Sequence, residues 1–214
     1  MGKKVFVDLT HPFGAEIPRW PYFDKPLIDS KHTMAKGGVL TQSICCTMHT
    51  GTHCDAPRHV MEREFDGRRA RYTHEMPVDA YTGEAVCLEV KIGRWGLIGP
   101  EHLEDACKRA GIRPEELEGM VVCLNTGMHR QFDDSKEYYH YSCGTGVEAG
   151  KWFVEHKVKC VAMDMQAQMC IRDRAGKRQA LLCGFSRKYG RHGRPGVFLR
   201  TYPDDRGYGG GGRP

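Results

Sequence analysis

Short apolar runs alternate with amphipathic segments along the first three quarters of the chain. Residues 100–111 and 145–156 carry apolar side chains at helical spacing, and the first of these segments begins with Pro100 and ends at Gly111, as helices commonly do. Apolar runs of strand length surround them. The predicted strands cover residues 4–9, 38–49, 85–91, 120–126 and 160–164. This alternation predicts an α/β domain that extends to about residue 167.

The composition is typical of a soluble globular protein. Of the 214 residues, 40% are hydrophobic and 28% are charged, and no apolar run approaches the roughly 18 to 20 residues that a membrane span needs. We therefore exclude a membrane protein. The first residues lack the apolar stretch of a secretion signal, so we interpret the ten cysteines as reduced thiols of a cytoplasmic protein.

The formal net charge of +5 is unevenly distributed. Residues 168–214 contain eleven basic and three acidic side chains and ten of the 26 glycines, whereas residues 1–167 carry a net charge of −3. We therefore divide the chain into a domain at residues 1–167 and an atypical basic tail at residues 168–214. The Gly- and Arg-rich composition of the tail favours disorder.

The most specific segment for chemistry is residues 49–59, HTGTHCDAPRH. His49, His53 and Asp55 have even spacing, so on a strand end that turns their side chains can point the same way. Two imidazoles and one carboxylate are the three protein ligands expected of a catalytic divalent metal ion, with positions left for water and substrate. Gly51 lets the backbone bend tightly around such an ion. The segment therefore predicts a metal site.

Two further groups are candidates for roles beside the metal. His59 follows the turn at Pro57, and we predict that it acts as a general base toward water on the ion. Trp20, Tyr22 and Phe23 lie in a proline-rich stretch that cannot form a regular element. Packing against the core is the interpretation that such residues favour, and the alternative is that they form the wall of a pocket for an aromatic substrate.

Residues 49–59 match every position of HxGTHxDxPxH, the signature of the metal-dependent cyclase and hydrolase family that includes bacterial kynurenine formamidase and isatin hydrolase. Residues 8–12, DLTHP, and residues 161–166, VAMDMQ, also resemble segments of that family. The resemblance covers residues 5–167, about three quarters of the chain.

The resemblance implies a swivelling β/β/α fold, a homodimer or homotetramer, and hydrolysis of a small-molecule amide or lactam, such as an arylformamide, by water held on zinc or manganese. At the matching positions, His49, His53 and Asp55 would bind the metal, Asp55 would bridge to a second ion, and His59 would act as base or proton shuttle. Neither nucleic acid nor a membrane is an expected partner.

The carboxyl-terminal residues depart from that family. Its second ion also takes a His and a Glu from near the carboxyl end, whereas here the tail has His192 alone and no glutamate follows Glu155. Residues 168–174, QMCIRDR, can be encoded by the mosaic-end adapter of transposase-based library preparation. We therefore hypothesise that the tail is adapter read-through or a frameshift. Codons unrelated to the adapter in the source DNA would contradict this.

Two alternatives to an active hydrolase stay open. An inactive or truncated family fragment would form the first metal site but lack the second. A nucleic-acid-binding module would use the basic tail, in which Tyr189, Tyr202 and Tyr208 are interleaved with arginines and glycines.

Overall fold

The computed structural model describes residues 7–64 and 66–166, and the backbone of residues 197–199. The predicted disorder of the tail therefore falls, apart from three residues, outside the described part of the chain. Within that part, no helix has the length and apolar character needed to cross a bilayer.

The described chain folds into an α/β structure with nine strands and four α-helices. In chain order these elements are β1 (Leu27–His32), α1 (Met34–Gly37), β2 (Thr41–Cys45), β3 (Cys54–Asp55), β4 (Ala85–Glu89), β5 (Leu97–Ile98), α2 (Pro100–Ala110), β6 (Val121–Asn125), α3 (Lys136–His140), β7 (Gly144–Thr145), α4 (Val147–Glu155), β8 (Cys160–Met163) and β9 (Val197–Leu199).

A five-stranded mixed sheet, in the order β3-β9-β8-β6-β4, organises the fold. Strands β4, β6, β8 and β9 are parallel to one another, whereas β3 pairs with β9 antiparallel and forms one edge. Two smaller sheets accompany it: β1 and β2 form an antiparallel hairpin, and β5 pairs with β7 in parallel. The predicted α/β class is confirmed.

The main hydrophobic core lies on one face of the central sheet. Leu88, Val122 and Leu124 alternate with less buried residues along β4 and β6, so their side chains point to the same face. Leu103 from α2 and Phe153 from α4 cover that face and are themselves fully buried. The helices thus bury their apolar sides on the sheet, as the sequence pattern predicts.

Helix α2 begins and ends at the residues that its sequence indicates. Pro100 occupies the first turn, where its missing N–H costs no hydrogen bond. Gly111 follows the helix in the left-handed conformation, with φ of 68°, and its N–H caps the carbonyls of Cys107 and Lys108. The prediction of a helix here is confirmed, as is the helix at α4.

Two strand predictions need correction at the amino-terminal side. Residues 7–9 have no regular structure, although the pattern over residues 4–9 predicts a strand, and residues 4–6 lie outside the described chain. The strand predicted over residues 38–49 is limited to β2, and its partner β1 was not predicted. Pro18, Pro21 and Pro26 lie directly before β1 and interrupt any periodic pattern there, so the sequence did not indicate this strand.

The β1–β2 hairpin is exposed along its whole length. Every residue from 27 to 46 is exposed apart from Ile28, which is half-buried. The side chains nonetheless include large apolar groups, among them Leu27, Leu40 and Ile44. An isolated two-stranded hairpin is only marginally stable in water, so this arrangement leaves an apolar surface without a cover among the described residues.

We predict that Leu88→Ala lowers the free energy of unfolding by about 2 to 5 kcal/mol, because it leaves a cavity in the main core. Leu97→Ala is the matched control: Leu97 also lies in a short parallel strand but is 48% exposed, and we expect a loss of about 1 kcal/mol or less. Chemical denaturation with a single cooperative transition measures both. Equal losses would contradict this assignment of the core.

Candidate metal centre

Three of the predicted ligand atoms form a compact triangle. His49 Nδ1 lies 3.2 Å from His53 Nε2 and 2.9 Å from Asp55 Oδ1. His53 Nε2 lies 3.4 Å from the same Asp55 oxygen. Ligands about 2.1 Å from a common ion lie roughly 3.0 to 3.4 Å from one another. The spacing of these three atoms therefore fits a site for one divalent ion.

The fourth predicted residue lies against this triangle. Pro57–His59 form a single 3₁₀ turn, which brings the His59 ring to 4.0 Å from the His49 ring, measured between centroids. One ligand atom from each of His49, Asp55 and His59 can be chosen so that all lie within 4.8 Å of one another. His59 is exposed, whereas His49 and Asp55 are half-buried. By this geometry, either His53 or His59 can serve as the second imidazole ligand beside His49 and Asp55.

One oxygen of the Asp55 carboxylate has a further property expected of a metal ligand. Asp55 Oδ1 is inaccessible to solvent and makes no hydrogen bond, although ring nitrogens surround it. A buried carboxylate oxygen without a partner is costly. A cation held between this oxygen and the imidazoles would satisfy it, so the residues present fit a divalent ion.

Electrostatics favour the charge states that metal binding needs. Burial by itself raises the pKa of the Asp55 carboxyl, but its attraction to the neighbouring imidazoles, that of His53 first, outweighs burial, so the pKa lies below its usual value. Burial is also the largest influence on His49, and together with repulsion from His59 and His53 it outweighs the attraction of Asp55, so the pKa of His49 is lowered. The ionised carboxylate and the neutral imidazole are the ligating forms.

The candidate ligands converge through a bend, which differs from the predicted strand end. His49 lies four residues beyond the end of β2, and only Asp55 belongs to a strand. Gly51 lies between the two histidines with φ of +72°, a conformation that few other residues adopt. The carbonyl of Gly51 lies 2.8 Å from His53 Nδ1 and so orients the ring. Even spacing along a pleat is therefore not the reason that these side chains meet.

Neighbouring segments hold this bend in place. The His11 backbone N–H donates to Thr52 Oγ1 at 3.0 Å, and the His11 ring stacks on Phe132 with centroids 3.5 Å apart. On the other side, Cys54 and Asp55 pair with the backbone of β9. The segment that carries the candidate ligands is thus tied both to the amino-terminal loop and to the edge of the central sheet.

The three aromatic candidates lie at different places. The Phe23 ring is 6.3 Å from the His49 ring, with the planes inclined by 29°. Trp20 is half-buried and contacts Tyr22, with ring centroids 6.3 Å apart. Tyr22 is 87% exposed. Of the three, Phe23 is the one placed against a metal-site ring.

A second polar cluster, around Asp164, was not predicted from the sequence. The Asp164 carboxylate is fully buried and accepts hydrogen bonds from Thr126 Oγ1 at 2.6 Å and the Gly127 N–H at 2.8 Å, while His129 Nδ1 lies 2.9 Å from it. A signal did exist, because Asp164 and Thr126 directly follow two apolar strand runs. The carboxyl ends of adjacent parallel strands meet at one edge of a sheet.

A sequence profile of the Cyclase family, described as "Putative cyclase", matches residues 7–168. The chain belongs to this family. The match contains all four histidine and aspartate positions of the metal centre. Among curated proteins, this cyclase-family chain is 23% identical to "Cyclase-like protein 1" of Arabidopsis thaliana over 188 residues, which cover 86% of this chain and 69% of that protein.

Solved structures share the fold of this family member. Isatin hydrolase A from Labrenzia aggregata, determined with benzyl benzoate, has a TM-score of 0.69 and 18% identity over 91% of this chain and 80% of its own. A predicted metal-dependent hydrolase from Bacillus stearothermophilus has a TM-score of 0.57 and 17% identity over 91% and 80% of the two chains. The α/β architecture with mixed sheets is therefore that of the cyclase and isatin hydrolase structures.

We predict that Gly51→Ala weakens metal binding and destabilises the cyclase-family fold. The left-handed conformation costs an alanine about 1 to 2 kcal/mol, and its Cβ would also lie 3.2 Å from Ile17 Cδ1 and 3.3 Å from Phe13 Cδ2. Gly111→Ala is the control, since φ is +68° there but nothing lies within 4 Å of the new Cβ. Calorimetric titration with zinc and thermal unfolding compare them.

Both variants should lose stability, and only Gly51→Ala should lose zinc affinity. Unchanged zinc affinity in Gly51→Ala would contradict the role of this bend in orienting His53.

Proposed function

We propose that the protein is a metal-dependent hydrolase that cleaves the C–N bond of a small-molecule amide or cyclic amide. The observation that carries the proposal is the triangle of His49 Nδ1, His53 Nε2 and Asp55 Oδ1, with edges of 2.9 to 3.4 Å. Membership of the cyclase family and the likeness to isatin hydrolase and metal-dependent hydrolase structures support it.

In this proposal His49, His53 and Asp55 hold the ion, which is zinc or manganese, because both metals accept two imidazoles with a carboxylate. When bound, such an ion supplies Lewis acidity that polarises a carbonyl and lowers the pKa of water toward neutrality. The Gly51 carbonyl fixes His53 by holding its Nδ1, so that Nε2 faces His49 and Asp55.

His59 moves the proton in the proposed reaction. Its ring lies beside His49 but is exposed, so it can reach both the metal-site ligands and an incoming substrate. As general base it would accept the proton of the attacking water. As general acid it would then return that proton to the leaving nitrogen, which makes the amine a neutral leaving group.

We propose that the substrate is an aromatic amide, of the arylformamide or lactam type. Phe23 supports this, because its ring lies 6.3 Å from His49 and presents an apolar surface beside the metal centre. The structural likeness to an isatin hydrolase points to the same class of carbonyl compound. A cytoplasmic location stays a prediction from the sequence.

We predict that His53→Ala loses bound metal and amidase activity together, because it removes one vertex of the ligand triangle. His140→Ala is the matched control: it removes an exposed imidazole from α3 and should change neither quantity. Elemental analysis after dialysis measures the metal, and a panel of arylformamides and lactams measures hydrolysis. Retention of metal and activity by His53→Ala would refute the assignment.

His59→Ala, measured in the same experiment, distinguishes two roles for residue 59, a general base and a metal ligand. We expect it to retain its metal and to lose a factor of about 10² to 10⁴ in kcat. Loss of metal would instead make His59 the second imidazole ligand, as the grouping of His49, Asp55 and His59 allows. A wild-type protein that binds metal but hydrolyses none of the panel would favour the inactive-fragment alternative.

We further propose that the chain forms a homodimer or homotetramer through the β1–β2 hairpin. The hairpin exposes Leu27, Leu40 and Ile44 along 20 residues that are almost entirely exposed. Exposed apolar patches of this kind mark interaction surfaces. A second copy of the chain would present the same hairpin, and pairing of like surfaces about a two-fold axis buries both at once.

We predict that Ile44→Lys shifts the protein toward a monomer, since it places a charge in the apolar surface of the hairpin. Val78→Lys is the control, because Val78 is 81% exposed on the body of the protein and far from the hairpin in sequence. Size-exclusion chromatography with light scattering gives the mass of each. A monomeric wild-type protein, or an unchanged oligomer in Ile44→Lys, would rule out this interface.

A further inference from the structure

The face of the central sheet opposite the main core carries two cysteines side by side. Cys87 in β4 and Cys123 in β6 are direct partners in the parallel register of these strands. Their neighbours Leu88 and Leu124, which are also partners, point into the main core. Because successive side chains alternate along a strand, both cysteines point to the other face.

Solvent reaches this pair from one side. Cys87 is exposed and lies in β4, the edge strand of the sheet, while Cys123 is half-buried. Cys123 packs against a small apolar cluster that includes Val121 and Cys160. An oxidant therefore reaches Cys87 first, and Cys123 is the thiol next to it.

The strand register places Cys87 and Cys123 at a separation that suits a disulfide bond. Neighbouring strands lie about 4.8 Å apart, and directly opposed residues share that spacing. The Cα atoms of a disulfide are usually roughly 4.4 to 6.8 Å apart. Because β4 is at the sheet edge and has one neighbour among the described strands, a shift of β4 toward β6 breaks no strand pairing on its other side.

We propose that Cys87 and Cys123 are a dithiol site that hydrogen peroxide or a related peroxide converts reversibly to a disulfide. The Cys87 thiolate attacks one peroxide oxygen, the O–O bond breaks, and the sulfur becomes a sulfenic acid as hydroxide leaves. Cys123 then attacks that sulfur, forming the S–S bond and releasing water. Two thiols and one peroxide thus give one disulfide and two waters, and an added thiol reductant reverses the link.

The other described cysteines lack this combination of an exposed thiol with a partner on the same face. Cys54 is half-buried, while Cys107, Cys143 and Cys160 are buried. Cys45 and Cys46 are both exposed but adjacent in sequence, so extended backbone directs their side chains apart. Cys45 therefore serves as the matched exposed thiol for a control.

Peptide mapping of the full chain tests the site directly. Trypsin releases Cys87 in residues 72–91 and Cys123 in residues 110–130, and each peptide contains a single cysteine. The protein is treated with a small excess of hydrogen peroxide, blocked with N-ethylmaleimide, digested without reductant and analysed by mass spectrometry. We expect these two peptides to appear as one linked species that reductant removes.

Cys87→Ser and Cys123→Ser should each abolish the linked species, and Cys45→Ser should leave its yield unchanged. The peroxide-treated wild-type chain tests the proposal even without the variants. Recovery of both peptides as maleimide adducts, irreversible oxidation of Cys87 alone, or links between Cys87 and some other cysteine would each overturn the proposal.

Discussion

The approach of the Asp55 carboxylate to two imidazoles is the contact on which the functional half of this structure depends. Three candidate ligand atoms lie within 3.4 Å of one another, and the carboxylate oxygen is buried without a hydrogen bond. Such a cluster is stable only if the backbone holds it and a cation satisfies it. The left-handed bend at Gly51 meets the first requirement, because it turns the backbone between the two histidines.

That bend is supported from both sides by parts of the chain far away in sequence. Phe13 and Ile17 pack where a side chain at residue 51 would lie, and the His11 N–H holds Thr52. Asp55 lies in the edge strand of the central sheet, paired with β9. The sheet thereby positions one candidate ligand, while loops position the others. This division is typical of sites in which a scaffold presents loop residues.

The two faces of the central sheet serve different purposes. One face carries Leu88, Val122 and Leu124 and is closed by α2 and α4, which gives the domain its main core. The opposite face carries a smaller apolar cluster and the cysteine pair Cys87 and Cys123. Because strand alternation alone assigns residues to these faces, the same register that builds the core also brings the two thiols together.

The periodic pattern was enough to predict β4, β6, β8, α2 and α4, since these elements bury one face and have clear ends. Residues 49–59 indicated a metal centre because they place three imidazoles and a carboxylate close together, and these groups are typical metal ligands. The sequence could not show how the ligands meet, because a φ of +72° at Gly51 and the packing of Phe13 and Ile17 are set by distant contacts. It also could not place β1, the Asp164 cluster or the cysteine pair, since each depends on which strands become neighbours. Local patterns determine what each segment can form, whereas only the tertiary structure decides which side chains meet.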